Sequence, residues 1–458
     1  MNRSDLGSLR NLDRAHLLHP FTDHRAMHAS GTHLIRSAKG STVVDEDGRE
    51  LLDALAGLWC TNVGYGREEI AQAVADQMRA VAFYPSFFNT TTEPAIRLAA
   101  RLAELAPARL AHVLFCNSGS EANESALKLI RAYWKLRGRR DKTKLLSLGL
   151  AYHGVTLATT SLTGLASCTD PFDLPLPGFV QLPGPNAYGS GRSPAEHAAW
   201  CLAETERTIA REGAGTLAAL FVEPVQGAGG VIVPPEGYLA QLRELCRRHE
   251  ILFVADEVIT GFGRLGAWFA SQLFSLDPDL MTLAKGITSG YLPLGATLVS
   301  DEIAAELEAA GYLAHGFTYT GHPSACAAAL ANLAILERER LVERVRDDVG
   351  PRFQAGLKAL AAHPAVAEVR GLQLIGALEL RQPKQGAYAN ARPGTLGVAV
   401  HQLAREAGVI VRGIRDLVAL APPFVITHAE LERVFAALTS ALDGFWSGGD
   451  GLHELGIL

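Results

Sequence analysis

From 113 to 299 the chain repeats one arrangement: a short apolar run, a turn, then a stretch with helical spacing of apolar residues. The apolar runs fall at 113–116, 144–148, 218–222, 251–255, 280–284 and 295–299. Their length and the turn residues beside them predict buried strands. Helices are predicted at 121–136, 194–212 and 236–249; in the last, Leu239, Leu242, Leu245 or Cys246, and His249 share one face. Alternation of this kind predicts an α/β fold, a mainly parallel sheet with helices on both faces. Such sheets bind ligands at the carboxyl ends of their strands. The segment 170–193, rich in Pro and Gly, is expected to be a long surface loop.

The flanks read differently. Residues 43–53 predict a hairpin turning at Asp47-Gly48. Helices are expected at 67–82 and 93–106, separated by the aromatic loop Phe83-Tyr84-Pro85-Ser86-Phe87-Phe88. Beyond Gly321-His322-Pro323 come an alanine-rich helix (324–337), short strands near 365–380, a polar loop (382–397) and helices at 398–407 and 428–446. The expected division is a large α/β domain over 61–325 and a smaller α+β domain over 326–458. Residues 1–60 are expected to pack beside the small domain.

Composition removes several function classes. A net charge of −6 without a long basic run argues against a nucleic-acid partner. The six cysteines include no CxxC pair, which argues for free thiols in a reducing compartment. The histidines between His16 and His28 lack the spacing and carboxylate of a metal site, so no metal is expected. No apolar run is long enough to cross a membrane, and the first residues lack a signal-peptide core. A soluble cytoplasmic protein is expected.

Reactive groups cluster at the strand ends. Lys285 follows the 280–284 run and precedes Gly286; a lysine at a buried strand end has a lowered pKa and is nucleophilic. By itself such a lysine would snorkel to solvent. Asp256 ends another strand, where a carboxylate serves a metal, a sugar hydroxyl or a positive heterocycle, or caps the next turn. In Asn117-Ser118-Gly119-Ser120-Glu121-Ala122-Asn123, Ser118 and Glu121 have capping-box spacing. The N–H groups there suit a phosphate. Tyr152, in Ala151-Tyr152-His153-Gly154, offers an aromatic face near the same edge. Gly261-Phe262-Gly263-Arg264-Leu265-Gly266 matches GxGxxG, but a dinucleotide site needs those glycines directly after a strand and opening a helix.

These motifs together resemble the class III pyridoxal-phosphate aminotransferases of fold type I. So do Leu58-Trp59-Cys60, Val222-Glu223-Pro224-Val225-Gln226 and His315-Gly316-Phe317-Thr318-Tyr319-Thr320-Gly321-His322-Pro323. The resemblance runs from about Phe21 to the last helix and is strongest to the ω-amine:pyruvate aminotransferases, near the β-alanine and putrescine enzymes. It implies a ping-pong transfer from a primary amine or ω-amino acid to pyruvate through pyridoxal 5′-phosphate. It implies that Lys285 bonds the cofactor aldehyde, Asp256 pairs with the pyridine nitrogen and Tyr152 stacks on the ring. Gly119 and Ser120 would hold the phosphate, with Phe317 and Thr318 supplied by a partner subunit. Glu223 and Val258 would lie against the ring; Trp59, Tyr84, Phe88 and Ala228 would form pocket walls. A homodimer with interfacial active sites follows, and a homotetramer is compatible.

The resemblance also bears on the acceptor. Relatives that use 2-oxoglutarate carry an arginine three residues before a Pro-Pro pair, which pairs with the glutamate of the Val-Glu-Pro motif. Here that position, ahead of Pro422-Pro423, is Ala419. Arg412, or nearby Arg415, would receive a single carboxylate, which implies pyruvate. Three alternatives remain open at this point: an aminomutase, racemase or decarboxylase of the same class, a transaminase using another oxo acid, and a non-catalytic scaffold.

Overall fold

The computed structural model describes residues 3–448; residues 1–2 of the expected N-terminal segment and 449–458 of the expected small domain lie outside the described residues. Two helices, Arg3–His16 and His24–Ser30, open the chain in a region whose sequence signals neither. Strands β1 (Ile35–Lys39), β2 (Thr42–Asp45) and β3 (Glu50–Asp53) then pair antiparallel. The expected hairpin turns at Asp47-Gly48, where Asp45 Oδ1 accepts the N–H groups of Asp47 and Arg49.

The central sheet has seven strands: β4 (His112–Cys116), β5 (Lys144–Leu148), β6 (Phe179–Leu182), β7 (Leu217–Val222), β8 (Leu252–Asp256), β9 (Leu280–Leu283) and β10 (Gly295–Val299). Their order is β4-β10-β9-β8-β7-β5-β6. Neighbours from β6 to β9 run parallel, and β10 is antiparallel to both β4 and β9. Every residue of β7, β9 and β10 is buried, which is why these strands read as unbroken apolar runs. The structure corrects the 170–193 loop. That segment contains β6, an edge strand paired with β5, only partly buried and flanked by the Pro and Gly residues that disguise it.

Helices Gly119–Leu136, Pro194–Glu212 and Tyr238–Arg248 cover the sheet. The second starts with a capping box between Ser193 and Glu196 and has Pro194 in its first turn. The third buries Leu239, Leu242, Leu245 and Cys246, each large apolar side chain contributing about 1.5–3 kcal/mol. His249 falls just beyond this helix, as its C-cap.

After the Pro323–Arg338 helix, strands β11 (Val366–Leu372), β12 (Ile375–Leu380), β13 (Val409–Ile410), β14 (Arg412–Ile414) and β15 (Leu417–Leu420) follow. An antiparallel sheet forms in the order β11-β12-β15-β14. Strand β13 instead joins β3 in parallel, so the first strands hydrogen-bond to the last third of the chain. One apolar cluster runs through Leu52, Phe262, Leu283, Leu378, Phe424 and Phe445. The fold is α/β, with a mainly parallel central sheet. The carboxyl ends of β4, β5, β7, β8 and β9 share one edge of it, and the site lies there.

Candidate active site

Groups from those five strand ends line one cavity of about 460 Å³. Strand β9 carries the chain to Ala284, and Lys285 then turns with φ 45°, a conformation that non-glycine residues rarely adopt. Such strain costs on the order of 1–3 kcal/mol and persists only where the surroundings over-determine it. Here Asn332 holds the carbonyls of Gly286 and Ile287 at 2.9 and 3.0 Å. Burial pushes the Lys285 amine below its usual range, opposed by the charges of Asp256 and Glu223.

Asp256 ends β8, and three groups converge on it. Its Oδ2 accepts from Asn123 Nδ2 at 2.8 Å and lies 2.8 Å from His153 Nδ1; its Oδ1 accepts from Val258 N–H at 3.1 Å. An ionised carboxylate only accepts, so facing it His153 carries its proton on Nδ1. Asn123 is fully used: Nδ2 also donates to His153 O at 2.8 Å, and Oδ1 accepts from Thr282 at 3.0 Å. Glu223, just past β7, accepts from Tyr152 N–H at 2.8 Å and Gly227 N–H at 3.0 Å. Burial pushes its carboxyl up to about 7. The Asp256 charge adds to that rise, while His153 and the two N–H groups oppose it.

The Gly119–Leu136 helix begins where β4 ends. Ser118 Oγ accepts from Glu121 N–H at 3.2 Å, half of the expected capping box. The return bond goes one residue earlier than expected: Glu121 Oε2 takes the N–H and Nδ2 of Asn117 at 2.7 and 2.8 Å. First-turn N–H groups such as those of Gly119 and Ser120 have no acceptor within the helix, and the helix dipole favours an anion beside them. Ser120 Oγ receives Val155 N–H at 3.1 Å, tying this turn to the 152–155 segment. A Cβ on Gly119 would stand 3.1 Å from both methyls of Val258, so glycine keeps that wall close. Tyr152 is half-buried on the cavity, its hydroxyl pushed up to about 12 by burial.

The structure brings Gly119, Ser120, Tyr152, Glu223, Asp256, Val258 and Lys285 to this one cavity. It distributes the remaining expected residues elsewhere. Positive φ at Ala56, Gly57 and Trp59 turns Leu58 and Cys60 to the cavity. The Trp59 indole is buried among Leu55, Val225, Val231 and Ile259. Ala228 is half-buried in a loop whose Gly229 carbonyl receives Arg415 Nη2 at 2.8 Å. Tyr84, Phe88 and Thr318 are exposed and Phe317 is half-buried; none of the four lines the Lys285 cavity of its own chain. Arg412, on β14, lines a separate cleft.

Asn123 and His153 sit inside motifs the sequence singles out, yet their joint hold on Asp256 needs the fold. Helical spacing does place Asn123 on the same face as Gly119, four residues before it. The GxGxxG segment is a joint between the two sheets. Arg264 within it is wholly buried and donates to Asn62 Oδ1 at 2.8 Å, Pro422 O at 2.6 Å and Leu374 O at 3.3 Å.

The donor set fits pyridoxal phosphate: an amine for its aldehyde, a held carboxylate for its ring nitrogen, a helix N-terminus for its phosphate and an aromatic face. The cavity is also of a size for one small cofactor. Fold and site together define a pyridoxal-phosphate-dependent transaminase. The chain belongs to the class-III aminotransferase family, whose model matches residues 25–442. It is 42% identical over 434 residues to the putrescine–pyruvate aminotransferase of Pseudomonas aeruginosa, covering 94% of this chain and 95% of that protein. A thermostable (S)-enantioselective ω-transaminase from Thermomicrobium roseum superposes with a TM-score of 0.92 at 43% identity, over 97% of this chain and 99% of that one. The ω-transaminase of Pseudomonas jessenii in complex with PMP does so with a TM-score of 0.92 at 39% identity, over 97% and 100%.

Proposed function

We propose that this enzyme is an ω-transaminase that moves the amino group of a primary amine or ω-amino acid to pyruvate, giving L-alanine and an aldehyde or ketone. The observation that supports it best is the pairing of Glu223 with no guanidinium. Both its oxygens are taken by backbone N–H groups, and Ala419 is wholly buried in an apolar cluster with Ile375 and Leu417. Among the described residues Glu223 therefore has no guanidinium partner that could serve as a second fixed cation for a dicarboxylate. Arg412 forms no ion pair among the described residues and is free to swing toward one carboxylate.

Pyridoxal phosphate, when bound, supplies the electron sink that lets the amine-bearing carbon give up a proton. The chain's own residues do the rest. Lys285 Nζ, its basicity lowered by burial, would act as nucleophile toward the aldehyde, then take the proton from that carbon and deliver it to the carbon that receives the nitrogen. Asp256, fixed by Asn123, His153 and Val258, holds a positive charge in one place. Gly119 and Ser120 receive the phosphate by their N–H groups. Leu58, Ile259 and Leu294 line the cavity with apolar surface and exclude water.

A second copy of the chain completes the site. Tyr84, Phe88, Phe317 and Thr318 are turned from their own cavity, and Phe83, Tyr84, Phe88, Tyr312 and Tyr319 expose a wide aromatic surface. Such surface suits a subunit interface, and a homodimer, or a tetramer of paired dimers, would cover it. Among the described residues no helix is long and apolar enough to cross a membrane. The six unpaired cysteines support a reducing, cytoplasmic setting.

A panel of amine donors assayed with pyruvate tests the reading. Transamination should consume one oxo acid per amine; turnover without an acceptor would instead identify a mutase, racemase or decarboxylase.

A further inference from the structure

A second cleft, about 550 Å³, lies between the His24–Ser30 helix and the Leu396–Glu406 helix. Arg392, Arg405 and Arg412 all line it, and none of the three guanidinium groups donates a hydrogen bond among the described residues. The Arg405 side chain is 15% exposed; its Nη2 is buried without a partner, and Asp45 Oδ2 stands 3.9 Å away. Arg412 is half-buried, and burial pushes its pKa down. His33 and His401 share the cleft and are pushed down by burial and by the Arg405 charge, so near neutral pH they add N–H donors rather than charge.

The nearby carboxylates are engaged. Asp23, the only one on the lining, caps its helix through the N–H groups of Arg25 and Ala26. Glu46 is taken by Arg10 at 2.9 Å and Leu34 N–H at 2.9 Å, with His33 at 3.5 Å. Asp45 Oδ1 accepts two backbone N–H groups, and its Oδ2 is the atom 3.9 Å from Arg405, beyond hydrogen-bond distance. Asp13, farther back, bonds His19 and Thr32. Three guanidinium groups thus face one lining carboxylate. Partly buried donors without acceptors are costly, and a guanidinium matches an oxyanion through two parallel N–H bonds.

We propose that this cleft binds a small multivalent oxyanion, phosphate or a di- or tricarboxylate. Arg412 lines this cleft and not the Lys285 cavity, so an anion held here withholds it from swinging to a substrate carboxylate; that second part rests on the role of Arg412 in pyruvate binding. Calorimetry of the holoenzyme with inorganic phosphate in one arm and citrate in the other reads the site without turnover. At least one should bind saturably. Arg405→Gln and Arg392→Gln should each weaken it about tenfold or more, the loss expected for a charge-assisted hydrogen bond. Arg392 is exposed, so Arg392→Gln carries the test if Arg405→Gln does not fold. The bound anion should raise KM for pyruvate and leave the half-reaction with 1-phenylethylamine unchanged. No saturable heat with either anion, or binding unmoved by the substitutions, overturns the site. Binding that leaves KM for pyruvate unchanged overturns the coupling, and because calorimetry reads the site alone, that failure is distinguishable from the first.

Discussion

Replacing Glu223 by glutamine in the cofactor-free protein should flatten the dependence of its stability on pH. Glu223 is 5% exposed, and burial lifts its carboxyl from 4.5 to about 7. Between those values the folded chain keeps a proton that the unfolded chain has released. The stability linked to Glu223 is therefore full below pH 4.5 and is lost as pH rises through 7. The two values are 2.5 pH units apart, and at about 1.4 kcal/mol per unit the loss is about 3 kcal/mol. Glutamine does not titrate. Its carbonyl keeps one of the N–H groups of Tyr152 and Gly227, and its amide turns a donor on the other, a pH-independent cost of about 1–3 kcal/mol. The variant should thus be less stable than the wild type at pH 4.5 and gain about 3 kcal/mol on it by pH 8. Urea unfolding in steps of pH, followed by tryptophan fluorescence, reads the difference. Parallel curves would refute the reasoning, because Glu223 would then hold no extra proton in the folded chain over this range.

Lys285→Ala should leave a folded protein that still holds pyridoxal phosphate through Gly119, Ser120 and Asp256 but has almost no turnover. Borohydride reduction and peptide mass spectrometry should tag Lys285 in the wild type, and a tagged or transaminating variant would contradict its assignment. Thr318→Ala should weaken cofactor retention by about 1.5–3 kcal/mol, the worth of a hydrogen bond to a charged group, and the dimer with it through linkage; a native monomer that binds the cofactor fully would count against this. Arg412→Ala should slow the single-turnover half-reaction with alanine or pyruvate more than that with an arylalkyl amine, and equal losses would remove Arg412 from carboxylate binding.

Much of the sheet is legible in the sequence because its strands are buried on both faces. Runs such as 144–148 and 295–299 need no alternation and stand out by their apolar length. Strand β6 hides because an edge strand is only partly buried and its Pro and Gly neighbours signal a loop. Lys285 and Asp256 are legible as isolated charges at the ends of apolar runs. What holds Asp256 is not, because Asn123, His153 and Thr282 reach one another from three segments. That Leu58 and Cys60 reach the cavity wall turns on positive φ at Ala56 and Trp59, which side-chain chemistry does not announce. Arg412 is visible as a cation, but the cleft it lines depends on the docking of the His24–Ser30 helix, which the polar N-terminal sequence does not signal.

The transfer of nitrogen itself tests the central claim most directly. Holoenzyme is given a ¹⁵N-labelled primary amine with pyruvate and 2-oxoglutarate in equal amounts, and the label is followed by NMR. With Ala419 buried and Glu223 unpaired, the label should enter alanine, with glutamate well behind. Label entering glutamate as fast as alanine, or remaining on the donor while the donor is still consumed, would contradict the account.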